Sequence, residues 1–132
     1  MSTPITAGAV VFAKDVVRVS RFYARVAGLE AVHEVADHVV LEAEGYELVE
    51  VALPAAIAER IVIQTPPERR ENTALKLVFW VDSLVDARAA ARDAGGALNP
   101  PEKEWNFQDT VACDGCDPEG NMIQLRQAAA MD

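Results

Sequence analysis

An internal repeat is the feature of this sequence that most constrains its fold. Residues 8–29 read GAVVFAKDVVRVSRFYARVAGL, and residues 76–97 read KLVFWVDSLVDARAAARDAGGA. Each segment opens with an apolar run, passes through an Asp, continues as a helical stretch and ends at glycine. Asp15 and Ser83 are 68 residues apart in the sequence, and so are Gly28 and Gly96. A repeat of this kind predicts two similar supersecondary units in one chain.

Both repeated segments carry the signals of a strand followed by a helix. Asp15 and Ser83 are short polar residues that can cap free backbone N–H groups at a helix start. Gly28 and Gly96 stand where a helix can end in a left-handed residue. Apolar residues recur at helical spacing in both segments, at Val16, Val19, Tyr23 and Val26 and again at Leu84, Ala87, Ala91 and Ala94. We therefore expect one amphipathic helix in each half.

Strand patterns follow each predicted helix. In the first half, runs at 30–35, 38–42 and 47–53 alternate around two short turn sequences. In the second half, runs at 110–113 and 122–126 flank the turn Asp-Pro-Glu-Gly-Asn. Each half is therefore predicted to be a βαβββ unit, and the fold class is α+β.

The two units are expected to form a single domain with a polar boundary between them. We assign residues 1–64 to the first half and 73–132 to the second, with a short helix at 54–61 and a polar linker at 65–72. The second half also carries a longer loop at 99–107, and loops of that length often carry function.

Composition excludes several kinds of partner. The 132 residues are 51% hydrophobic, which is enough for one core. The sequence has 21 Asp and Glu and 12 Lys and Arg, so the net charge of −9 repels nucleic acid and anionic lipid and favours a cationic or neutral ligand.

Two cysteines are too few for a disulfide framework. No apolar stretch reaches the roughly 20 residues that span a bilayer, and the run at 5–13 lacks a signal peptide's basic flank. We expect a cytoplasmic protein.

The predicted architecture resembles the vicinal oxygen chelate superfamily. The resemblance rests on the two βαβββ halves and on the Asp-Pro-Glu-Gly-Asn turn at 117–121, which runs directly into Met122-Ile123-Gln124-Leu125. That superfamily includes glyoxalase I, extradiol dioxygenases, fosfomycin-modifying enzymes and bleomycin-resistance proteins. The resemblance covers nearly the whole chain. It implies two four-stranded sheets, each forming half a barrel around a cavity, and a homodimer.

The resemblance also indicates where a metal would be held. Metal-dependent members take His or Gln from the first strand of each half and Glu from the last. Here the first-strand positions fall on Gly8 and Lys76, and the last position of the second half falls on Gln124. In the first half, counting from the turn glycine gives Val49, whereas the apolar alternation gives Glu50. We expect Glu50 to line the cavity, because the other choice buries an unpaired carboxylate in the helix-covered core.

These residues predict a metal-free binding cleft with no cofactor. A lone carboxylate beside a lysine is a poor divalent site. Trp80 alternates with Lys76 on the cavity side of its strand and can stack on a ligand. Trp105, with Phe107, lies in the long loop, as a lid, as part of a subunit interface or packed only within the loop. The expected ligand-binding residues are Glu50, Lys76, Trp80, Trp105 and Gln124.

Three functions fit this set of residues. The first is a metal-free small-molecule-binding protein of the bleomycin-resistance type, whose ligand is planar or cationic. The second is a metal-dependent lyase, isomerase or dioxygenase with Glu50 and Gln124 as ligands. The third is a dimeric binding or regulatory subunit without chemistry. No Ser/His/Asp constellation is evident. Cys113 and Cys116 precede a turn instead of opening a helix, so we expect inert thiols.

Overall fold

A computed structural model describes residues 3–129 of the chain as two sheets and three helices. The elements in chain order are β1 Ala7–Ala13, α1 Val16–Ala27, β2 Glu30–Val35, β3 His38–Ala43, β4 Tyr46–Ala52, α2 Ala55–Ala58, β5 Leu77–Trp80, α3 Leu84–Asp93, β6 Ala97–Leu98, β7 Trp105–Phe107, β8 Thr110–Cys116 and β9 Met122–Ala128. A single 3-10 turn at Pro101–Lys103 lies between β6 and β7.

Each half of the chain builds its own sheet. Sheet 1 has the order β1-β4-β3-β2, and sheet 2 has the order β5-β9-β8-β6, with β7 also paired to β8. The first strand of each half runs parallel to the last, and the remaining neighbours are antiparallel. This arrangement confirms the predicted α+β class with two sheets.

The two main helices form where the repeat predicts them. The carboxylate of Asp15 accepts a hydrogen bond from the backbone N–H of Arg18, and the hydroxyl of Ser83 accepts one from Asp86. Gly28 ends α1 with a φ of 73°. After α3, however, the left-handed residue is Gly95, with a φ of 92°, so the assignment to Gly96 was wrong.

Gly96 is required for a different reason. A Cβ at this position would lie 2.4 Å from the carbonyl oxygen of Cys116 and 2.5 Å from a ring carbon of Phe22. A close approach of backbone and ring, and not a left-handed backbone, therefore explains this glycine.

Helix α1 covers one face of sheet 1 and helix α3 covers one face of sheet 2, and the hydrophobic core lies between the helices and the sheets. We call this the covered face and the opposite side the open face. The covered faces contribute Ala13, Val39, Leu41, Leu48, Phe79, Cys113, Ile123 and Leu125, all of them buried. Successive residues of a strand alternate between the faces. The open faces therefore carry Val10, Phe12, Val49 and Val51 in sheet 1, and Val78, Trp80, Ala112, Asp114, Gln124 and Arg126 in sheet 2.

The predicted long loop is partly strand. β6 pairs with the end of β8 and β7 with its beginning, so the two short strands occupy one edge. Pro100 and Pro101 lie between them, and because proline has no N–H to donate, they interrupt the ladder. The edge strand expected of a βαβββ unit is therefore present but broken in two.

The turn at 117–121 links the two halves of the chain. The carboxylate of Glu119 accepts hydrogen bonds from the backbone N–H groups of Lys14 and Asp15, at 2.8 and 2.7 Å. The hydroxyl of Tyr23 on α1 donates to Asp117 at 2.8 Å. The second half thus holds the β1 to α1 connection of the first.

Within residues 3–129, none of the helices combines the length and the apolar character needed to cross a bilayer.

Candidate ligand-binding face

Four of the five predicted ligand-binding residues share the open face of sheet 2. The parallel register pairs Val78 with Gln124 and Trp80 with Arg126. Lys76 directly precedes β5 and is on the same side as Trp80, and Trp105 lies on β7 at the far edge. The fifth residue, Glu50, does not belong to this face.

A single row of residues crosses the sheet. Trp80 is paired with Arg126, Arg126 with Ala112, and Ala112 with Trp105. The row therefore has an indole at each end and a guanidinium and a methyl group between them. Trp80 is 61% exposed and Trp105 is 38% exposed, so both rings are accessible from the open side.

Arg126 contacts two aromatic rings. Its guanidinium carbon lies 5.1 Å from the centroid of Trp80 and 4.5 Å from the centroid of Phe107. Both distances are in the cation–π range, and these contacts hold the Arg126 side chain over the sheet. Neither Arg126 nor Phe107 was among the predicted ligand-binding residues, although Arg126 follows Gln124 by two positions on one strand and must share its face.

A chain of polar contacts runs along the same face. The ammonium of Lys76 lies 2.8 Å from a carboxylate oxygen of Asp114. The amide nitrogen of Gln124 donates to the other oxygen of Asp114 at 3.2 Å, and its amide oxygen accepts from Nε of Arg126 at 2.8 Å. Lys76 is thus neutralised by Asp114, while Arg126 is held by a neutral amide.

Trp105 is part of the sheet and not of a lid. It belongs to β7, which is paired to β8 at three positions. Of the alternatives left open for Trp105 and Phe107, the lid is therefore wrong, because the pairing of β7 with β8 places both residues in the sheet.

Glu50 lies on the covered face, so its expected place in the cavity was wrong. Its partners in the register are Val11 and Val39, and the latter is buried in the core. Glu50 is fully buried, and no hydrogen-bond donor from residues 3–129 reaches either carboxyl oxygen. Val49, the alternative from counting, occupies the open face instead.

Protonation explains how a carboxyl group tolerates this place. Burial, and then the negative charges of Asp117 and Glu119, raise the pKa of Glu50 to about 9. The carboxyl is therefore neutral at pH 7, which removes most of the cost of burying a charge. Only an ionised Glu50 would be too costly on the covered face, and the protonated carboxyl is not ionised.

The positions where metal-dependent relatives hold ligands do not fit a metal ion here. Val49 is a hydrocarbon, the ammonium of Lys76 is paired, and Gln124 is engaged at both ends of its amide. At Gly8 a Cβ would lie 2.5 Å from the backbone oxygen of Glu47, so no side chain fits without a backbone shift. In the described part of the chain, no three His, Cys, Asp or Glu residues are grouped so as to hold a metal.

The remaining reactive residues lie away from this face or are buried. Cys113 and Cys116 are free and buried, and burial raises the pKa of both thiols, which lowers their reactivity. His33 and His38 stack on each other on the first hairpin, with ring centroids 5.3 Å apart.

The open face of sheet 2 is bordered by a shallow cleft instead of an enclosed cavity. A cleft of about 290 Å³ lies beside Lys76 and Asp114, with Thr73, Leu75 and Met122 in its walls. Two larger clefts of about 450 and 470 Å³ lie beside Arg25, and the first of them is also lined by Trp80 at the edge of sheet 2.

Two βαβββ sheets, each covered by one helix and open on the other side, define the glyoxalase/bleomycin-resistance fold. The chain matches the Glyoxalase-like domain over residues 8–126 and belongs to that family within the vicinal oxygen chelate superfamily. It matches no curated protein sequence.

Solved structures with the same fold include proteins of several kinds. A glyoxalase/bleomycin resistance protein/dioxygenase family enzyme from Burkholderia phytofirmans is 18% identical, covering 92% of this chain and 96% of its own, with a TM-score of 0.66. The fosfomycin resistance protein FosX from Listeria monocytogenes is 12% identical, covering 100% and 96%, with a TM-score of 0.64. The bleomycin resistance determinant encoded on transposon Tn5 is 16% identical, covering 95% and 98%, with a TM-score of 0.60. These identities establish a shared fold and no shared activity.

Proposed function

We propose that this chain binds a small planar ligand on the open face of sheet 2 without a metal ion. The observation that carries the proposal is the row that runs from Trp80 through Arg126 and Ala112 to Trp105. Two exposed indoles at the ends of one row offer flat apolar surfaces, and a planar ring gains both area burial and stacking on such surfaces. Ala112 is fully buried, so the accessible part of the row consists of the two indoles and the half-buried Arg126.

The donor set supports binding without a metal. Open-coordination sites for divalent ions use imidazole, carboxylate and carbonyl groups. Of the four positions at which relatives place ligands, only Gln124 has a suitable oxygen, and that oxygen accepts from Arg126. A metal-dependent lyase, isomerase or dioxygenase would need ligands that these positions do not supply.

The named fold neighbours are compatible with a small-molecule ligand. Two of them are described as resistance proteins for fosfomycin and for bleomycin. A dimeric regulatory subunit without chemistry is the remaining candidate, and it would leave the exposed indoles without a ligand.

The test is the affinity of wild-type and variant protein for benzamide, a neutral planar probe. We expect ligand-observed NMR titration in buffer with EDTA to give saturable binding. Trp80→Ala should weaken binding by roughly 1–3 kcal/mol, the scale of a lost aromatic contact. The matched control is Val17→Ala on the exposed side of α1, which should bind as the wild type does.

Two results would contradict the proposal. One is equal benzamide affinity in the wild type and in Trp80→Ala. The other is a stoichiometric divalent ion in protein purified without chelator, because that would place a metal site in the chain.

A further inference from the structure

We infer that Arg126 receives an anionic group of the ligand, so that the ligands of this face are planar carboxylates or similar oxyanions. This inference rests on the proposed function and adds the charge of the ligand to it. It is carried by the contacts of one guanidinium and by the charges around it.

The guanidinium of Arg126 retains free hydrogen-bonding capacity. Arginine has five N–H donors, and within the part of the chain that the structure describes only Nε–H finds an acceptor, the amide oxygen of Gln124. The rings of Trp80 and Phe107 contact the guanidinium through their faces and accept no conventional hydrogen bond from it. Among residues 3–129, no carboxylate lies within salt-bridge distance of Arg126, although Arg25, Lys76 and Arg88 each have a carboxylate partner.

The neighbours of Arg126 place it without neutralising it. Gln124 is nearly buried and is held in turn by Asp114, whose second oxygen binds Lys76. The negative charge of Asp114 is therefore neutralised by Lys76, and the hydrogen-bond acceptor that Arg126 contacts is the neutral amide of Gln124. The two terminal nitrogens of a guanidinium match the two oxygens of a carboxylate in a fork arrangement.

The local charge of this face is opposite to that of the whole molecule. On the face itself Lys76, Arg126 and Asp114 sum to one positive charge, whereas the chain as a whole carries −9. The acidic residue Glu71 lies in the wall of the cleft beside Lys76, at the other end of the polar chain from Arg126. A ligand at this distance responds to the nearby groups more than to charges beyond a screening length of about 8 Å. The net charge alone favoured a cation, and the residues on the face favour an anion.

Aromatic rings beside the guanidinium strengthen this preference. A ligand stacked on these exposed rings excludes water from the guanidinium, and an ion pair gains more at such a site than at an open surface. The same rings are the planar surfaces on which the rest of the ligand would stack. One ligand can therefore use both the ring surface and the charge.

The experiment compares three probes with one ring and different charges: benzoate, benzamide and benzylammonium. We expect wild-type protein at low salt to bind benzoate about tenfold more tightly than benzamide, the scale of a charge-assisted hydrogen bond, and benzylammonium most weakly. In Arg126→Met the ratio of the benzoate and benzamide affinities should fall to about one. Arg126→Lys, which keeps the charge and loses the fork, should give an intermediate ratio.

Arg21→Met is the matched control. It removes the same charge from the exposed side of α1 and should keep the tenfold ratio, with circular dichroism melting curves confirming that each variant is folded. A ratio near one in the wild type, with benzamide bound, overturns the inference and leaves the proposed function standing. A ratio that survives Arg126→Met but is lost in Lys76→Met also overturns it. Failure of all three probes to bind contradicts the proposed function and the inference together.

Discussion

Two buried carboxyl groups of the core have opposite surroundings. Asp117 accepts hydrogen bonds from two backbone N–H groups, from the amide of Asn121 and from the hydroxyl of Tyr23. Burial raises the pKa of Asp117, and these four bonds oppose the rise. Glu50 has no donor at all, and its pKa is raised to about 9. The proton therefore resides on Glu50.

This difference makes stability depend on pH through Glu50. Below the ordinary pKa of 4.5 the carboxyl is protonated in both folded and unfolded chains. Between pH 4.5 and about 9 only the unfolded chain loses the proton. The stabilising contribution is therefore complete at low pH and is lost as the pH rises through this window, by up to about 1.4 kcal/mol per pH unit.

Glu50→Gln should remove that dependence. The amide has nearly the shape of the protonated acid and cannot ionise, so we expect the variant to gain stability relative to wild type as the pH rises from 5 to 9. Urea unfolding at pH 5, 7 and 9 measures the difference. Glu34→Gln, at an exposed strand position, controls for the change in net charge. A constant difference between Glu50→Gln and wild type at the three pH values would show that Glu50 is ionised in the fold.

At the scale of elements, local signals predicted the helices well and the strand faces less well. The caps at Asp15 and Ser83 and the apolar stripes are short-range features, and α1 and α3 begin directly after these caps. β4 carries valine at 49 and 51 and glutamate at 50, so its alternation favours the wrong face. Only the tertiary neighbours of Glu50, which keep its carboxyl protonated, reverse that preference.

The candidate binding face could be predicted only in part, because local patterns place some of its residues and strand pairing places the others. Lys76, Trp80 and Gln124 follow from repeat and alternation, and Arg126 could have been found by extending the alternation of β9 by two residues. β7 could not have been found, because a three-residue strand is defined by its pairing with β8 and not by its own pattern.

The turn at 117–121 is the element whose sequence matters most to the junction of the halves. Gly120 has a φ of 86°, and a Cβ there would lie 2.0 Å from the backbone oxygen of Glu68. Gly28 has a similar φ of 73° with nothing within 4 Å of such a Cβ. Alanine at position 28 would therefore meet only backbone strain, whereas alanine at position 120 would meet backbone strain and a steric clash as well.

We expect Gly28→Ala to cost about 1 kcal/mol of unfolding free energy, the cost of a left-handed alanine. Gly120→Ala should cost at least about 2 kcal/mol more, because the segment at Glu68 must move. Chemical denaturation of both variants measures the difference. Equal losses of unfolding free energy in the two variants would mean that Gly120 and the backbone of Glu68 are not in close contact in solution.

At the scale of the whole molecule, exposed apolar residues on the open face of sheet 1 point to a second copy of the chain. Val10 is 58% exposed and Phe12 is 56% exposed, side by side on β1. Uncovered apolar patches of this kind mark interaction surfaces, and we predict that a second copy of the chain covers this one.

Light scattering at micromolar concentration should therefore give about twice the chain mass of 14.3 kDa. Phe12→Glu should shift the mass toward a single chain, because a charge on this patch loses its water on association. Val17→Glu changes an equally exposed valine on α1 and should leave the mass unchanged. A single-chain mass for the wild type would refute the homodimer.

The most direct test of the proposed binding face is the NMR spectrum of the two tryptophan indole N–H groups during titration with benzamide in the presence of EDTA. The chain has two tryptophans, so two signals are expected, which Trp80→Phe and Trp105→Phe assign. Because both rings belong to one row of sheet 2, both signals should shift and reach saturation at the same probe concentration. A metal-free ligand site on this face is refuted if neither signal moves, or if the signals move only after a divalent ion is added.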